Sequence, residues 1–375
     1  MSRPPLPRFF ALIRGFLLRH FKLWTGAPVA PAERPERFET YLREEIAGRH
    51  LIPSACEEGF RIVPVGSGSN PIVRKIERDS AEPLVARCFP RTLGKEKSRE
   101  HAAVSRLLRQ AHLDVPRLVF ADSSLCTLGR YGFDVVAEEW VQGRHPEPRD
   151  FDPADSPYLE KMADILSRLH DESAPRPGRP WRRRRARAPF LDGFFVARER
   201  QALHALRESD CVRPTEAGWQ TVKGILEDRR PELDCGAPYP LVHGDLQARN
   251  LLIRSDGSDS IALLDFGTVH YGLWPWDIVG FFNGTSGRNA QRTLRLLELY
   301  LRKRPAARVE YFRAVWPYLR VWYHLDKAAA AVRKRRRALG GRPPEGDPEF
   351  FARRAAEHWS LAVQAAESRE LQTLC

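Results

Sequence analysis

The sequence predicts an α+β fold, with a strand-rich first part followed by a larger helical part. Two observations point there. Short apolar runs separated by glycine or polar turns fall between residues 60 and 143 and again between 239 and 264, as strands do. From residue 144 onward, long segments carry apolar residues at i, i+3 and i+4, the spacing of buried helix faces. A chain of 375 residues suits one two-part unit with extensions.

The balance of residues narrows the partners. The chain is 42% hydrophobic and 10% aromatic with no long low-complexity tract, a globular composition. Lys and Arg number 61 against 48 Asp and Glu, a formal net charge of +13. That excess favours anionic partners: nucleotides, phosphorylated sugars, acidic lipids or nucleic acid. No specific nucleic acid is expected, because no aromatic-interleaved binding module accompanies the charge. The six cysteines are scattered without a CxxC pair, which predicts a reduced, cytoplasmic setting and no zinc.

Taken in order, residues 1–25 are expected to form a basic amphipathic helix. Between Arg8 and Trp24, Phe9, Leu12, Ile13, Phe16, Leu17 and Phe21 share one face, and Arg8, Arg14, Arg19 and Lys22 the other. The stretch is too short and too often broken by charge to span a bilayer, and Arg14 interrupts what would be a signal-peptide core. Its apolar face suits peripheral contact with an anionic membrane at the inner surface, or docking on the folded domain; a mitochondrial-type targeting segment is a third reading. Residues 26–59 read as a linker and a helix, with Gly26 to Arg37 rich in Pro and Ala and the helix running from Phe38 to Ala47.

Residues 60–143 open with strand, turn and strand over Arg61 to Glu77. Gly66, Ser67, Gly68 and Ser69 stand in the turn, where backbone N–H groups and hydroxyls approach phosphates closely; an ordinary hairpin turn has the same composition. Pro83 to Phe89 reads as a third strand, Ser98 to Gln110 as a helix, and Phe133 to Ala137 as a further strand.

Residues 144–375 begin with a helix over Tyr158 to His170, in which His170 reads as a packing and hydrogen-bonding residue. A basic insertion at 171–240 carries Arg182 to Arg185 and two helices, about Phe190 to Glu208 and Thr215 to Arg229. Beyond Asp277 the expected helices are Arg288 to Lys303, Arg308 to Leu339 and Pro348 to Glu367. The middle one holds Trp316, Tyr318, Trp322, Tyr323, His324 and Asp326, whose rings either stack on a ligand or fill the core.

The chemistry gathers between Leu241 and Asp277. Asp245 and Asn250 lie on a loop behind the apolar run Tyr239 to Val242, and Asp265 follows the run Ile261 to Leu264. The turn residues Ser255 to Ser258 between two apolar runs predict a hairpin that brings Asn250 and Asp265 together. An amide oxygen and a carboxylate are hard ligands suited to Mg²⁺ that also holds phosphates. Asp245 beside such a metal is placed to receive a hydroxyl proton, the arrangement of a phosphoryl-transfer site.

His243-Gly244-Asp245-Leu246-Gln247 with Asn250, followed by Asp265-Phe266-Gly267, resembles the catalytic and metal-binding loops of the protein-kinase-like superfamily. The His-Gly-Asp form and the short interval to Asp277 resemble the aminoglycoside phosphotransferase and choline kinase branch. The resemblance covers about residues 60–330. It implies a two-lobed protein-kinase-like fold and an ATP- and Mg²⁺-dependent kinase with Asp245 catalytic, Asn250 and Asp265 on the metal, and His243 and Asp277 supporting the loop. The glycine turn would cover the nucleotide, and backbone around residues 138–141, including Glu139 and Trp140, would meet the adenine edge. Where that branch carries a phosphate-facing lysine, this chain has Arg87. Either Arg87 pairs with Glu100, or Lys75 takes over from the adjacent strand, or nucleotide binding is impaired. The acceptor is expected to be a small or lipid-linked molecule that is not strongly cationic, with phosphorylated or acidic saccharides fitting the charge best. A non-catalytic nucleotide-binding scaffold and a protein kinase stand as alternatives.

Overall fold

The computed structural model describes residues 33–46, 60–65, 72–79, 81–90, 97–123, 131–152, 156–181, 195–234, 236–302, 304–340 and 347–368. The expected helix at 8–24, the glycine turn at 66–70 and the arginine run at 182–185 lie outside the described residues. The chain divides into two compact units. One is Met1–Ser105 with Pro116–Trp140, the other Arg106–Val115 with Val141–Cys375.

In the first unit, helix α1 (Arg34–Tyr41) begins inside what reads as linker. Pro35 explains the early start: its fixed φ suits the first turn, where its missing N–H is not needed. The strands are β1 (Phe60–Pro64), β2 (Ile72–Arg78), β3 (Leu84–Pro90), then, after helix α2 (Lys97–Gln110), β4 (Leu118–Asp122) and β5 (Phe133–Glu139). They form one antiparallel sheet in the order β1-β2-β3-β5-β4. Leu84, Ala86 and Cys88 alternate along β3, and Phe133, Val135 and Ala137 along β5, so the period of two puts all six on one face. Phe38 and Tyr41 of α1 bury themselves on that face, with Phe38 edge-on to Phe133 at 5.7 Å between centroids. The opposite face carries Arg87 and Glu138, diagonal neighbours because Val85 pairs with Glu138 and Arg87 with Val136.

The second unit is mainly helical. It contains β6 (Gly143–Arg144), α3 (Pro157–Asp171), β7 (Ser173–Ala174), α4 (Ala197–Arg207), α5 (Glu216–Arg229), β8 (Tyr239–Val242), β9 (Leu251–Arg254), β10 (Ile261–Leu263) and β11 (His270–Tyr271). Helices α6 (Pro275–Gly284), α7 (Ala290–Leu301), α8 (Ala306–Leu339) and α9 (Pro348–Glu367) follow. Helix α3 starts at Ser156, whose hydroxyl accepts the Tyr158 N–H at 3.1 Å, and buries Leu159, Met162, Ile165, Leu166 and Leu169 along one stripe. Helix α8 is the central column, packed by α4, α5, α6 and α9. Val315 to Leu325 are buried without a break, Arg320 and His324 included, as a helix enclosed by others must be. Most of the expected aromatic set serves this packing: Trp316 and Tyr318 are fully enclosed, with Phe312 stacked on Trp316 at 5.0 Å.

The expected hairpin is present, with Leu251, Leu252 and Ile253 of β9 opposite Leu263, Ala262 and Ile261 of β10. Strand β11 pairs antiparallel with β8, setting His270 opposite Val242. These two short pairings carry the loops that hold the candidate site. Among the described residues no helix is long and apolar enough to cross a membrane.

Candidate active site

The loop after β8 is shaped by one buried carboxylate. Asp277, in the first turn of α6, is fully enclosed, and its two oxygens accept the backbone N–H groups of His243 and Gly244, each at 2.8 Å. His170 Nε2 approaches the same carboxylate at 3.3 Å, while its Nδ1 lies 3.0 Å from the Tyr300 hydroxyl. Burial pushes the Asp277 carboxyl up, but the hydrogen bond from His170, with the Gly244 N–H, brings it below the usual range. Burial draws His170 the other way, below the ordinary histidine value, so it serves as a neutral donor to a charged acceptor. The Trp276 indole N–H adds a hydrogen bond to the Gly244 carbonyl at 3.0 Å. Gly244 has φ +80, and a Cβ there would stand 2.8 Å from the Thr268 carbonyl oxygen, so both conformation and space demand glycine.

His243, fully buried, turns its Nε2 to the Leu264 carbonyl at 3.0 Å, and Thr268 Oγ1 donates to the His243 carbonyl at 2.9 Å. These bonds tie the first loop to the second. Asp245 follows, half-buried. One of its oxygens accepts Gln247 Nε2; the other accepts Asn250 Nδ2 at 2.9 Å and Arg249 at 3.0 Å. Asn250 also donates to the Asp245 carbonyl at 2.8 Å, so its amide nitrogen is fully used. Its Oδ1 makes no hydrogen bond among the described residues.

The hairpin brings the second ligand candidate next to the first. Leu264 N–H donates to the Asn250 carbonyl at 2.8 Å, which places Asp265 one residue beyond that contact. Asp265 has φ 57, a left-handed conformation that aspartate tolerates better than most residues, and its Oδ1 accepts the Gly267 N–H at 3.3 Å. The other carboxylate oxygen makes no bond among the described residues. Arg179 closes the outside of this turn, donating to the Gly267 and Val269 carbonyls at 2.8 and 3.1 Å.

The donor set suits magnesium. Among the described residues no three His, Cys, Asp or Glu side chains gather as a metal cage. Asn250 Oδ1 and the free Asp265 oxygen would supply two hard ligands, with phosphate oxygens and water completing the shell, as Mg²⁺ prefers.

In the first unit the pairing of Arg87 differs from expectation. Arg87 Nε lies 3.3 Å from Glu138, not on Glu100, and His101 Nε2 takes the other Glu138 oxygen at 2.6 Å. Glu100 instead pairs with Lys97 at 3.3 Å, one turn away on α2. Lys75 is also engaged, 3.0 Å from Glu77 and over the Trp140 ring at 4.9 Å. The 138–141 segment limits which backbone groups remain for a ligand. Glu138 and Glu139 belong to β5, and the N–H groups of Glu139 and Trp140 already serve the Arg117 and Pro83 carbonyls at 3.0 Å each. A nucleotide contact from these two residues would therefore fall to their carbonyl groups. Gly66, Ser67, Gly68 and Ser69 lie outside the described residues.

Within the second unit a cavity of about 240 Å³ opens beside Asp245. Trp276, Trp322 and Tyr323 contribute ring surface to it; Arg179, Arg198, Arg249, Asp326 and Lys327 contribute charge. Of these, only the aromatic residues of α8 and Asp326 stand out in the sequence. The repeat Tyr323 to Lys327, one helical turn, could have flagged Lys327 on the same face. Arg179 and Arg198 sit in the basic insertion, where nothing local separates them from solvated arginines.

The sheet-bearing first unit and the mainly helical second unit match solved structures of the protein-kinase-like fold. More particularly, the phosphotransferase enzyme family matches residues 61–322, and the chain belongs to that family. Similar solved structures include a choline/ethanolamine kinase family protein from Mesorhizobium loti, 16% identical, covering 87% of this chain and 99% of its own, with a TM-score of 0.55. A spectinomycin phosphotransferase solved with ADP and spectinomycin is 10% identical, covering 85% of this chain and 98% of its own, at a TM-score of 0.56. The ethanolamine kinase of Plasmodium vivax is 16% identical, covering 88% and 87%, at a TM-score of 0.52. Comparison with curated proteins gives no significant match. At these identities the structures share the fold. The family makes the chain a small-molecule kinase, and ATP with Mg²⁺ is the family's usual phosphoryl donor.

Proposed function

We propose that the protein transfers the γ-phosphoryl group of ATP to a hydroxyl of a small or lipid-linked acceptor, a saccharide or related polyol. The observation that carries this reading is the Asp245 carboxylate, which faces the ring-lined cavity while Asn250 ties it to the Asp265 loop.

Mg²⁺, when bound, would neutralise charge on the transferred group and hold its oxygens in line with the acceptor. The chain's own residues do the rest. Asn250 and Asp265 would anchor the metal. Asp245 orients the acceptor hydroxyl and takes its proton as the new O–P bond forms and the bond from the γ-phosphorus to the bridging oxygen of ADP breaks. Hydrogen bonds from Arg249, Gln247 and Asn250 fix the direction of the Asp245 carboxylate. Asp277 and His243 position the loop without touching the substrate. The cavity wall of Trp276, Trp322 and Tyr323 gives the acceptor a partly apolar face to rest on.

The test is magnesium-dependent ATP consumption across a panel of sugars, polyols, amino alcohols and lipid headgroups. Asp245→Asn should bind Mg–ATP nearly as well as the parent while turning over roughly 10²- to 10⁴-fold more slowly, the range of general-base catalysis. Asp265→Ala should weaken Mg–ATP binding as well. Turnover within a few-fold of the parent in Asp245→Asn would remove this aspartate from its role, and a non-catalytic scaffold would show no Asp245-dependent turnover at all.

A further inference from the structure

The lining of the cavity beside Asp245 holds more cations than anions. It carries four basic side chains, Arg179, Arg198, Arg249 and Lys327, against two carboxylates, Asp245 and Asp326. Two of the basic groups are matched by those carboxylates. Arg249 lies 3.0 Å from Asp245 and Arg198 2.8 Å from Asp326.

Lys327 is different. It stands one turn after Tyr323 on α8, with its ammonium 5.3 Å from the centre of the Tyr323 ring. Among the described residues it makes no ion pair and no hydrogen bond. Burial pulls its pKa down, and the charge of Asp245 pulls it back up, so the ammonium senses the catalytic carboxylate across the cavity. A half-buried ammonium without an anion costs free energy that a surface lysine would not. A ligand group of opposite charge would recover that cost.

We propose that the acceptor is an anionic alcohol, a sugar or polyol bearing a phosphate or carboxylate besides its reacting hydroxyl, and that Lys327 binds that anionic group. This rests on the phosphotransferase reading of Asp245. The aromatic wall accounts for the carbon skeleton, Asp245 for the hydroxyl, and Lys327 for the charge. Arg179, at the same cavity, adds positive potential on the side of the Asp265 loop. A polycationic acceptor meets the reverse field: the carboxylates that would attract it are already held by Arg249 and Arg198. The phosphate and carboxylate forms share this chemistry, and the experiment separates them.

The probes are glucose 6-phosphate, glucuronate, glucose and glucosamine, titrated calorimetrically into the full chain with Mg–ADP present. The two anions should bind roughly tenfold or more tightly than glucose, with glucosamine weakest, as one charge-assisted contact predicts. The stronger of the two anions identifies phosphate or carboxylate. Lys327→Gln should erase the anion preference, and Lys327→Arg should keep most of it; in both, affinity for Mg–ADP should stay at the parent value. Equal binding of all four probes, or preference for glucosamine, overturns the proposal. So does a Lys327→Gln variant that loses Mg–ADP affinity while keeping its anion preference, because Lys327 would then serve the nucleotide. Mg–ADP binding and Asp245-dependent ATP hydrolysis are measured on the same samples. Failure of those two sinks the underlying reading instead, and is seen separately from the probe series.

Discussion

Asp277 in the second unit and Glu138 in the first are both buried carboxylates, and each stays ionised, but by different means. Asp277 is held by two backbone N–H groups at 2.8 Å and one neutral histidine. Glu138 is held by two side chains, His101 at 2.6 Å and Arg87 at 3.3 Å. In both, burial pushes the carboxyl up and the donors overcome it, leaving each below its ordinary value. Backbone donors fix a loop in one conformation and have no other use. Side-chain donors can turn toward a ligand while keeping one contact. The first arrangement makes a rigid frame for Asp245; the second makes a cation, Arg87, whose remaining guanidinium nitrogens are free among the described residues.

The largest expected effect breaks the rigid arrangement. Asp277→Ala orphans the N–H groups of His243 and Gly244 in a buried place, at about 1–3 kcal/mol each. The loop should then relax and move Asp245, and a misplacement near 1 Å costs roughly a hundredfold in rate. Thermal unfolding and Mg²⁺-dependent turnover measure the two consequences. A variant that unfolds earlier but keeps its rate would show that β8, β11 and Thr268 hold Asp245 without help.

A smaller effect tests the adjustable arrangement. If Arg87 keeps Glu138 with Nε and turns its other nitrogens to phosphate, Arg87→Ala should weaken ATP binding by about 1–3 kcal/mol. Arg87→Lys should restore most of that, because charge matters more than the fork when only one phosphate contact is made. Equal ATP affinity in parent and Arg87→Ala would leave Arg87 as a purely structural partner of Glu138.

The same contrast explains what the sequence shows by itself. The spacing of Asp245, Asn250 and Asp265 is legible because their geometry is local: a hairpin with a polar turn has few ways to close. Helices α3, α4, α5, α7, α8 and α9 are legible from apolar periodicity, with ends within a few residues of expectation where caps such as Ser156 and Asp347 mark them, whereas α6, buried along nearly its whole length, offers no such stripe. Where the Arg87 charge goes is not legible. Its partner is 51 residues away on β5, and only the register of β3 against β5 makes the two diagonal neighbours. Reading along the chain offers Glu100 as the next acid, but a helical turn gives that residue to Lys97. The cavity is hidden for the same reason. Arg179 and Arg198 precede Asp245 by dozens of residues, and Lys327 follows it from another helix; tertiary packing alone assembles them.

The smallest expected effect concerns acid stability, and it needs the two kinds of group separated by pH. Glu138 has an ordinary value of 4.5 and a lower one when folded. Below 4.5 the unfolded chain therefore takes up a proton that the folded chain refuses. The stability it contributes is complete above that pH and is lost as pH falls through the folded value. Asp277 behaves alike, starting from 3.8. Buried histidines act over a higher interval. Burial draws His270 and His358 to about 4 and His324 to about 3, from 6.5, so stability already declines between pH 6.5 and 4 as the unfolded chain charges its histidines. Glu138→Gln leaves all three histidines in place. At pH 7 it should be less stable than the parent by about 1–3 kcal/mol, for the loss of a buried, doubly paired anion. Across the histidine interval both proteins should lose stability in parallel. Below pH 4.5 the parent should lose more, and the gap should close. Denaturant unfolding of the two proteins from pH 7 to pH 3 measures that gap directly. A gap that stays constant to the lowest pH would mean that Glu138 contributes by packing, and that Arg87 and His101 do not depend on its charge.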